Sequence, residues 1–380
     1  MNFDFGNTEK TLRETIKALF DPDSKTTLSE LQNKDNERIR ETYLHWMNRL
    51  AETGYLALGL DDGKNNVRLL AAQESLAGIS PCLFLSVEVS TRLFGRLVAT
   101  YGTPEQKDQV LPGLKEGRFI GAVALSEGGM SIENNPISTT GVPVNGGFGV
   151  SGSKVHAVNA PIADMIAVAG KDSGKGEKGL SFFLINKESE GLSIGERHST
   201  LGYNGATTSP ILLENCLVPL KSVIGPFQDK EPLKTLRRWE DEILTAASLG
   251  LMARSFDAAS SYSKSHVSGG KPIIAYQEVG FKLAEMLTLF QTAQLLAYRA
   301  AWMAETGDRE AAVLAHSAKV FCTESAEEVA SHALQILGGY GYLHTNPAEE
   351  SYRDAKYLQI AGTSSEISRM KIGDGVLERN

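Results

Sequence analysis

Between positions 9 and 117 the apolar residues recur at three- and four-residue intervals: Leu28 with Leu31, then Tyr43, Leu44, Met47 and Leu50, and again through 83–97. That period lays one apolar stripe along a helix, so the first third of the chain is predicted to be all helical. Gly102-Thr103-Pro104 followed by Glu105 marks a helix stop and restart. Proline suits the first turn of a helix, and an acidic side chain favours the positive end of its dipole. From 119 the period changes. Short β-rich runs at 119–125, 165–169, 180–185 and 210–217 alternate with Gly- and Asn-rich turns, a spacing that predicts an antiparallel sandwich or barrel rather than βαβ units. The Lys and Gly residues at 171–178 have the character of an exposed hairpin tip. Past Pro226, long amphipathic patterns return at roughly 233–265, 272–306, 308–338 and 347–358, and four such helices make a bundle. The expected fold is α+β and multidomain: an N-terminal helical domain over 1–117, a β domain over 118–228 and a C-terminal four-helix bundle over 229–380.

Composition fits that division. A chain of 380 residues exceeds what one core usually fills, and 42% apolar with 22% charged residues is ordinary for globular proteins. The net charge of −8 offers no basic face for nucleic acid, so an anionic ligand must be held by local groups. Cys82, Cys216 and Cys322 form no CxxC pair, which argues against a disulfide framework or a zinc site and for a reducing, cytoplasmic setting. There is no run of eighteen apolar residues and no secretory pattern at the start, so neither export nor a membrane span is expected. The seven histidines include none at HExxH spacing, and no metal is expected. The pairs Gly128-Gly129, Gly269-Gly270 and Gly338-Gly339 do not open a helix after a strand, as a dinucleotide-binding GxGxxG must; taken alone they are turns.

Four strings, in order along the chain, are more specific. Gly102-Thr103-Pro104-Glu105-Gln106-Lys107 with Leu111-Pro112 resembles a helical stretch G-T/S-x-E-Q-K-x-x-x-L-P of the acyl-CoA dehydrogenase family. Ala124-Leu125-Ser126-Glu127-Gly128-Gly129-Met130-Ser131 resembles its T/S-E-P-x-x-G-S segment, and Gln335-Ile336-Leu337-Gly338-Gly339-Tyr340-Gly341-Tyr342 its Q-x-x-G-G-x-G-Y element. Tyr352-Arg353-Asp354-Ala355-Lys356 followed by Gly362-Thr363-Ser364-Ser365-Glu366-Ile367 resembles its C-terminal ending. The resemblance implies FAD as cofactor, an acyl-CoA thioester as substrate, an electron-transfer flavoprotein or similar acceptor, and a homo- or hetero-tetramer. It also implies that Leu125 and Ser126 face the flavin and that Ser131 faces flavin or CoA. Gln277, Gln335, Gly338 and Gly339 would meet the FAD of a neighbouring subunit, glycine letting backbone approach closely; Ser364 and Glu366 fall in the FAD-contacting ending.

The departures from the pattern are as informative. Alignment of the C-terminal ending puts Gly362, next to Ala361, where most members carry the glutamate that removes the α-proton, and glycine cannot act as a base. Relatives resembling isovaleryl-CoA dehydrogenase carry that glutamate early in the first helix of the last domain. Here that place falls on Glu240, in helical line with Leu244, Ala247 and Leu251, where desolvation at the end of an apolar stripe would suit a general base. The substrate-side arginine that often follows is Asp241, with Arg237 and Arg238 just before. The aromatic W-I/S-T of the flavin site is replaced by His156-Ala157-Val158, and the arginine of R-x-x-F-G by His266, with Lys264 and Lys271 as nearby cations.

The leading expectation is therefore FAD-dependent α,β-dehydrogenation of an acyl-CoA, with Glu240 as base and hydride passing to flavin N5. Two alternatives stay open. One is a relative acting on a non-thioester substrate with reduced flavin and oxygen. The other is a non-catalytic or half-catalytic subunit of a hetero-oligomer, motivated by Gly362, His266 and His156.

Overall fold

The computed structural model describes residues 6–20, 24–60, 65–129, 137–174, 179–308, 310–344 and 346–377. The N-terminal part is helical: α1 (Asn7–Leu19), α2 (Ser24–Ser29), α3 (Asn36–Glu52), α4 (Asn66–Ile79), α5 (Pro81–Glu88), a π-helical stretch (Val89–Gly95), α6 (Arg96–Tyr101) and α7 (Pro104–Lys115). The expected stop and restart lies between α6 and α7. Thr103 and Gln106 cap α7 reciprocally, each side chain bonding the other's backbone N–H, with Pro104 in the first turn.

The middle part is one sheet: β1 (Gly121–Ala124), β2 (Thr140–Val144), β3 (Gly147–Val158), β4 (Met165–Asp172), β5 (Leu180–Asn186), β6 (Leu192–Ile194), β7 (Thr208–Pro219) and β8 (Val223–Phe227). Its order is β6-β7-β3-β2-β4-β5-β8, with β1 beside β4. Of the two arrangements expected, the described strands do not close a barrel. The pairings of β1 and of β2 with β4 are parallel and the others antiparallel. The sequence reading found four of the eight strands. It missed β3, whose Gly147, Gly149 and Gly152 mask the alternation, and the short β2, β6 and β8. Of the hairpin tip expected at 171–178, only 171–174 fall among the described residues, Ser173 and Gly174 being exposed.

The C-terminal part holds α8 (Glu231–Ser265), α9 (Gln277–Thr306), α10 (Ala311–Leu337) and α11 (Pro347–Ile360), the expected bundle, and a fifth helix, α12 (Ser365–Leu377). No helix among the described residues is long and apolar enough to cross a membrane.

Close contacts between the parts join α8 to α4, α4 to α1 and α9, and α5 to the sheet. Gly250 of α8 crosses Gly78 of α4 so closely that a Cβ on Gly250 would lie 2.6 Å from the Gly78 nitrogen and 2.5 Å from the Cβ of Ala77; position 250 therefore takes only glycine, while a Cβ on Gly78 would be tight, 3.3 Å from the Gly250 carbonyl oxygen. Glu74 on α4, buried, accepts hydrogen bonds from Arg13 of α1 (3.2 Å) and from Gln294 (2.8 Å) and Tyr298 (2.8 Å) of α9. Asn159, just past β3, donates to the carbonyls of Ser86 (2.8 Å) and Gly121 (3.2 Å), joining α5 to β1.

One charged pair sets the exit of β1. Lys154 of β3 is fully buried and donates to Glu127 Oε1 at 2.8 Å and to the Leu125 carbonyl at 3.2 Å. Glu127 also accepts from the N–H and hydroxyl groups of Ser138 and Thr139. Burial works to raise the Glu127 carboxyl, but the bonds from Lys154, Ser138 and Thr139 outweigh it and hold it at about 2. Glu127→Gln should therefore strand a buried ammonium and cost about 3 kcal/mol. Chemical denaturation should also show Lys154→Met added to Glu127→Gln recovering most of that loss, because no charge is then left behind.

Candidate active site

Helix α8 carries the groups on which the site depends. Leu236, Leu244, Ala247 and Leu251 are buried along one stripe, as its period requires. Glu240 stands at the end of that stripe with its side chain 20% exposed. The sequence predicts a desolvated carboxylate there; instead Glu240 has a cation one turn back. Arg237 Nη1 donates to Glu240 Oε2 at 2.5 Å, and Arg237 Nη2 donates to Ser126 Oγ at 3.4 Å. The residue that follows β1 is thereby joined to α8.

Gly362 lies in the turn after α11, at φ +64°. A Cβ on Gly362 would sit 2.6 Å from Asp241 Oδ1, 2.9 Å from Leu244 Cδ1 and 3.5 Å from Glu240 Cγ. Positions 240, 241 and 362 therefore face the same small volume. Asp241 is 4% exposed; its Oδ1 accepts from the Thr363 N–H at 2.8 Å, while Oδ2 accepts no hydrogen bond and lies 3.9 Å from His316 Nδ1. Burial pushes its carboxyl up to about 7, with Glu240 adding to the rise and the Thr363 bonds and Lys319 opposing it. Lys319 of α10 is fully buried; burial lowers its ammonium, and Asp241 and Glu240 work to restore it. Burial also raises the Tyr357 phenol, followed by the charge of Glu240.

The two faces of α8 part here. Arg238, Trp239, Asp241 and Glu242 line a cavity of about 770 Å³, together with Arg92 and Arg96 from the N-terminal helices; Glu240 and Arg237 are not among its lining residues. Arg96 lies 5.2 Å over the Trp239 ring and pairs with Glu242 at 3.2 Å.

The residues expected at the cofactor divide between two neighbourhoods. Leu125 is buried and Ser126 half-buried at the exit of β1. On β3, His156 is exposed with its ring 5.1 Å from that of His198, burial and His198 together lowering its imidazole, and Val158 is half-buried. In the second neighbourhood His266 stacks on Tyr262 (4.6 Å, 13°) and lies 6.4 Å from Tyr340. Gly338 and Gly339 are exposed, and a Cβ on either would meet nothing within 4 Å. Gln277 opens α9 and Gln335 lies near the end of α10, both exposed. Ser364 Oγ accepts from the Ile367 N–H at 3.4 Å at the start of α12, with Glu366 exposed in its first turn. Lys271 sits over the Tyr276 ring at 4.2 Å. Ser131 lies outside the described residues.

This donor set fits FAD. The open space at 338–339 would admit a diphosphate to backbone, the Tyr262–His266–Tyr340 ledge offers faces to a planar ring, and Ser126 with β3 offers a hydrogen-bonding edge. Reasoning from sequence missed Lys319, His316 and Tyr357. Lys319 could have been noticed, as a cation one turn past His316 on a helix face otherwise made of Ala315, Ala318 and Cys322. It also missed a surface grouping of Glu285, Glu328 and His332 whose ligand atoms lie within 4.8 Å of one another.

A helical unit, a sheet and a helical bundle that meet around α8, with residues able to hold FAD, are the arrangement of a flavin-dependent oxidoreductase. Profiles of the acyl-CoA dehydrogenase N-terminal, middle and C-terminal domains match residues 6–118, 122–216 and 242–377. The chain is 31% identical over 341 residues to a 3-(aryl)acrylate reductase of Clostridium sporogenes, covering 87% of this chain and 89% of that one. It is 26% identical over 383 residues to the caffeyl-CoA reductase-Etf complex subunit CarC of Acetobacterium woodii, covering 99% and 100%. A solved structure described under the electron transferring flavoprotein of Acidaminococcus fermentans superposes with a TM-score of 0.89 at 25% identity over the whole of both chains. The chain belongs to the acyl-CoA dehydrogenase family: it is an FAD-dependent oxidoreductase acting on CH–CH groups.

Asp354 resembles Asp241 electrostatically. Its Oδ1 accepts from the Tyr203 N–H at 2.5 Å, Oδ2 accepts nothing, and burial raises its carboxyl to about 7. For both groups the folded chain binds its proton more tightly than the unfolded chain does. Their stabilising contribution is full below about pH 4, the usual aspartate value, and is lost as pH rises to about 7. Unfolding free energies measured from pH 4.5 to 7.5 should decline over that window, and Asp241→Asn with Asp354→Asn should flatten the decline.

Proposed function

We propose that the chain dehydrogenates an acyl-CoA thioester between Cα and Cβ, with Glu240 taking the α-proton. The observation that carries this reading is the 3.5 Å between Glu240 Cγ and the place of a Cβ on residue 362. By the family resemblance, that is where most members hold their base. A carboxylate rooted on α8 thus serves the same volume. FAD, which Ser126 and the backbone at Gly338 and Gly339 would help to hold, would supply the acceptor for the hydride that leaves Cβ. Glu240, a fifth exposed, is open to a ligand, and Arg237 holds it on the side of Ser126. Arg238, exposed near the start of α8, suits the anionic groups of CoA. Gly362, beside Glu240, with Ala361 next to it in sequence, would offer backbone to the substrate.

The same groups serve the reverse direction, in which Glu240 returns a proton to Cα. Two of the similar proteins are named as reductases, and one of them as a subunit of an Etf complex. An electron-transfer flavoprotein as redox partner follows from that likeness. A tetramer is favoured by the large apolar side chains left exposed on the C-terminal helices: Phe281, Leu295, Trp302, Ile360 and Met370 are 55–67% exposed, more apolar surface than a monomer usually leaves bare. Light scattering of the purified protein should give four times the chain mass; a monomer would remove this assembly from the reading.

The purified chain should take up FAD and show the yellow flavin spectrum. Butyryl-CoA, isovaleryl-CoA, cyclohexane-1-carbonyl-CoA and 3-phenylpropionyl-CoA then form a panel, and at least one should bleach the flavin anaerobically. Glu240→Gln should slow that bleaching by about 10²–10⁴-fold. Undiminished bleaching would remove Glu240 as base. A chain that stays colourless in excess FAD would favour a structural subunit of a hetero-oligomer.

A further inference from the structure

We propose that Asp241 is a positioning residue that acts through Glu240: its carboxylate fills the space a side chain at 362 would need, pins the 361–364 turn, and places a second acid beside the base. The proposal rests on the reading of Glu240 as base and adds a second acid to the same corner.

The steric half follows from three contacts. A Cβ on residue 362 meets Asp241 Oδ1 at 2.6 Å and Leu244 Cδ1 at 2.9 Å, both inside van der Waals distance. Asp241 is 4% exposed, and its Oδ1 is held at this place by the bond it accepts from the Thr363 N–H at 2.8 Å. The φ of +64° at 362 disfavours any other residue in its own right. Gly362 and Asp241 are therefore matched, and a carboxylate stands at one of these positions only if the other gives way. Where the resemblance places a substrate-side arginine and the usual C-terminal glutamate, this chain carries Asp241 and Gly362. Charge and volume have both changed sides.

The electrostatic half follows from what faces Asp241. On α8 it adjoins Glu240, itself bonded to Arg237. From α10 come His316, 3.9 Å from Oδ2, and Lys319. The turn gives the Thr363 N–H, and Arg92, Arg96 and Glu242 line the same cavity. Burial brings the Asp241 carboxyl to about 7, so its charge appears across the neutral range. That charge stands beside the carboxylate of Glu240, and the contact between the two is among those that raise the Asp241 carboxyl. The rate of flavin reduction should rise as Asp241 ionises.

Two arms test this, one needing no turnover. In thermal melts of the holoprotein, Gly362→Glu should lower Tm, and Asp241→Ala combined with Gly362→Glu should melt roughly 2–4 °C above Gly362→Glu alone. Additive losses would overturn the steric half. In stopped-flow reduction by the fastest acyl-CoA of the panel, the wild type should show a rise centred near pH 7. Asp241→Asn, which keeps an acceptor for Thr363, should lack that rise while its KM changes less than twofold. A neutral step that persists in Asp241→Asn would overturn the electrostatic half even where Glu240→Gln abolishes bleaching. If Glu240→Gln bleaches normally, the base assignment fails instead, and the melts still decide the packing.

Discussion

The hydrogen bond from the Thr363 N–H to Asp241 is 2.8 Å long and joins residues 122 positions apart in sequence. It ties the turn after α11 to the third turn of α8, and the volume of the acid corner follows from it. Around this bond the chain has excluded water, left one carboxylate oxygen without a hydrogen bond, and brought up Lys319 and His316 from a third helix. Buried charge is costly without partners. Here the cost is limited by one backbone donor, one ammonium and a proton that the acid keeps into the neutral range.

Much of the fold was legible because long helices carry a strong periodic signal. The stripe 236–244–247–251 on α8 was there to be counted, and so was the capped restart at Thr103 and Pro104. The sheet was less legible. β3 carries three glycines and is interrupted by bulges at Val150/Gly152 and Lys154/Ala157, so the period of two is broken where it would be looked for. Its parallel pairings join strands that are not successive, and no local pattern records them.

The candidate site shows the same division. Glu240 could be placed by counting along a helix, and Gly362 by aligning a motif; neither count says that the two are neighbours. That fact depends on how α8 crosses α4 at Gly250 and Gly78, and on where α11 ends. Arg237 was placed near a substrate by its charge; Glu240 is its neighbour one turn on along the same helix, but Ser126 becomes its partner only once the β unit has docked. Lys319, His316 and Tyr357 come from α10 and α11 and enter through packing alone.

The contacts that join α8 and the elements packed around it are spread through all three parts of the chain. Glu74 takes its hydrogen bonds from α1 and α9, Asn159 bridges α5 and β1 from the end of β3, and Arg237 reaches from the bundle to the exit of β1. The three family segments are accordingly not interchangeable cassettes. A chimera that borrowed its first 118 residues from a cousin would need that cousin to present the same acceptor to Gln294 and Tyr298 and the same small residue beneath Gly250. Without them the graft would fold around a displaced helix, and so modular exchange within this architecture is limited by inherited pairs of residues rather than by the similarity of each piece.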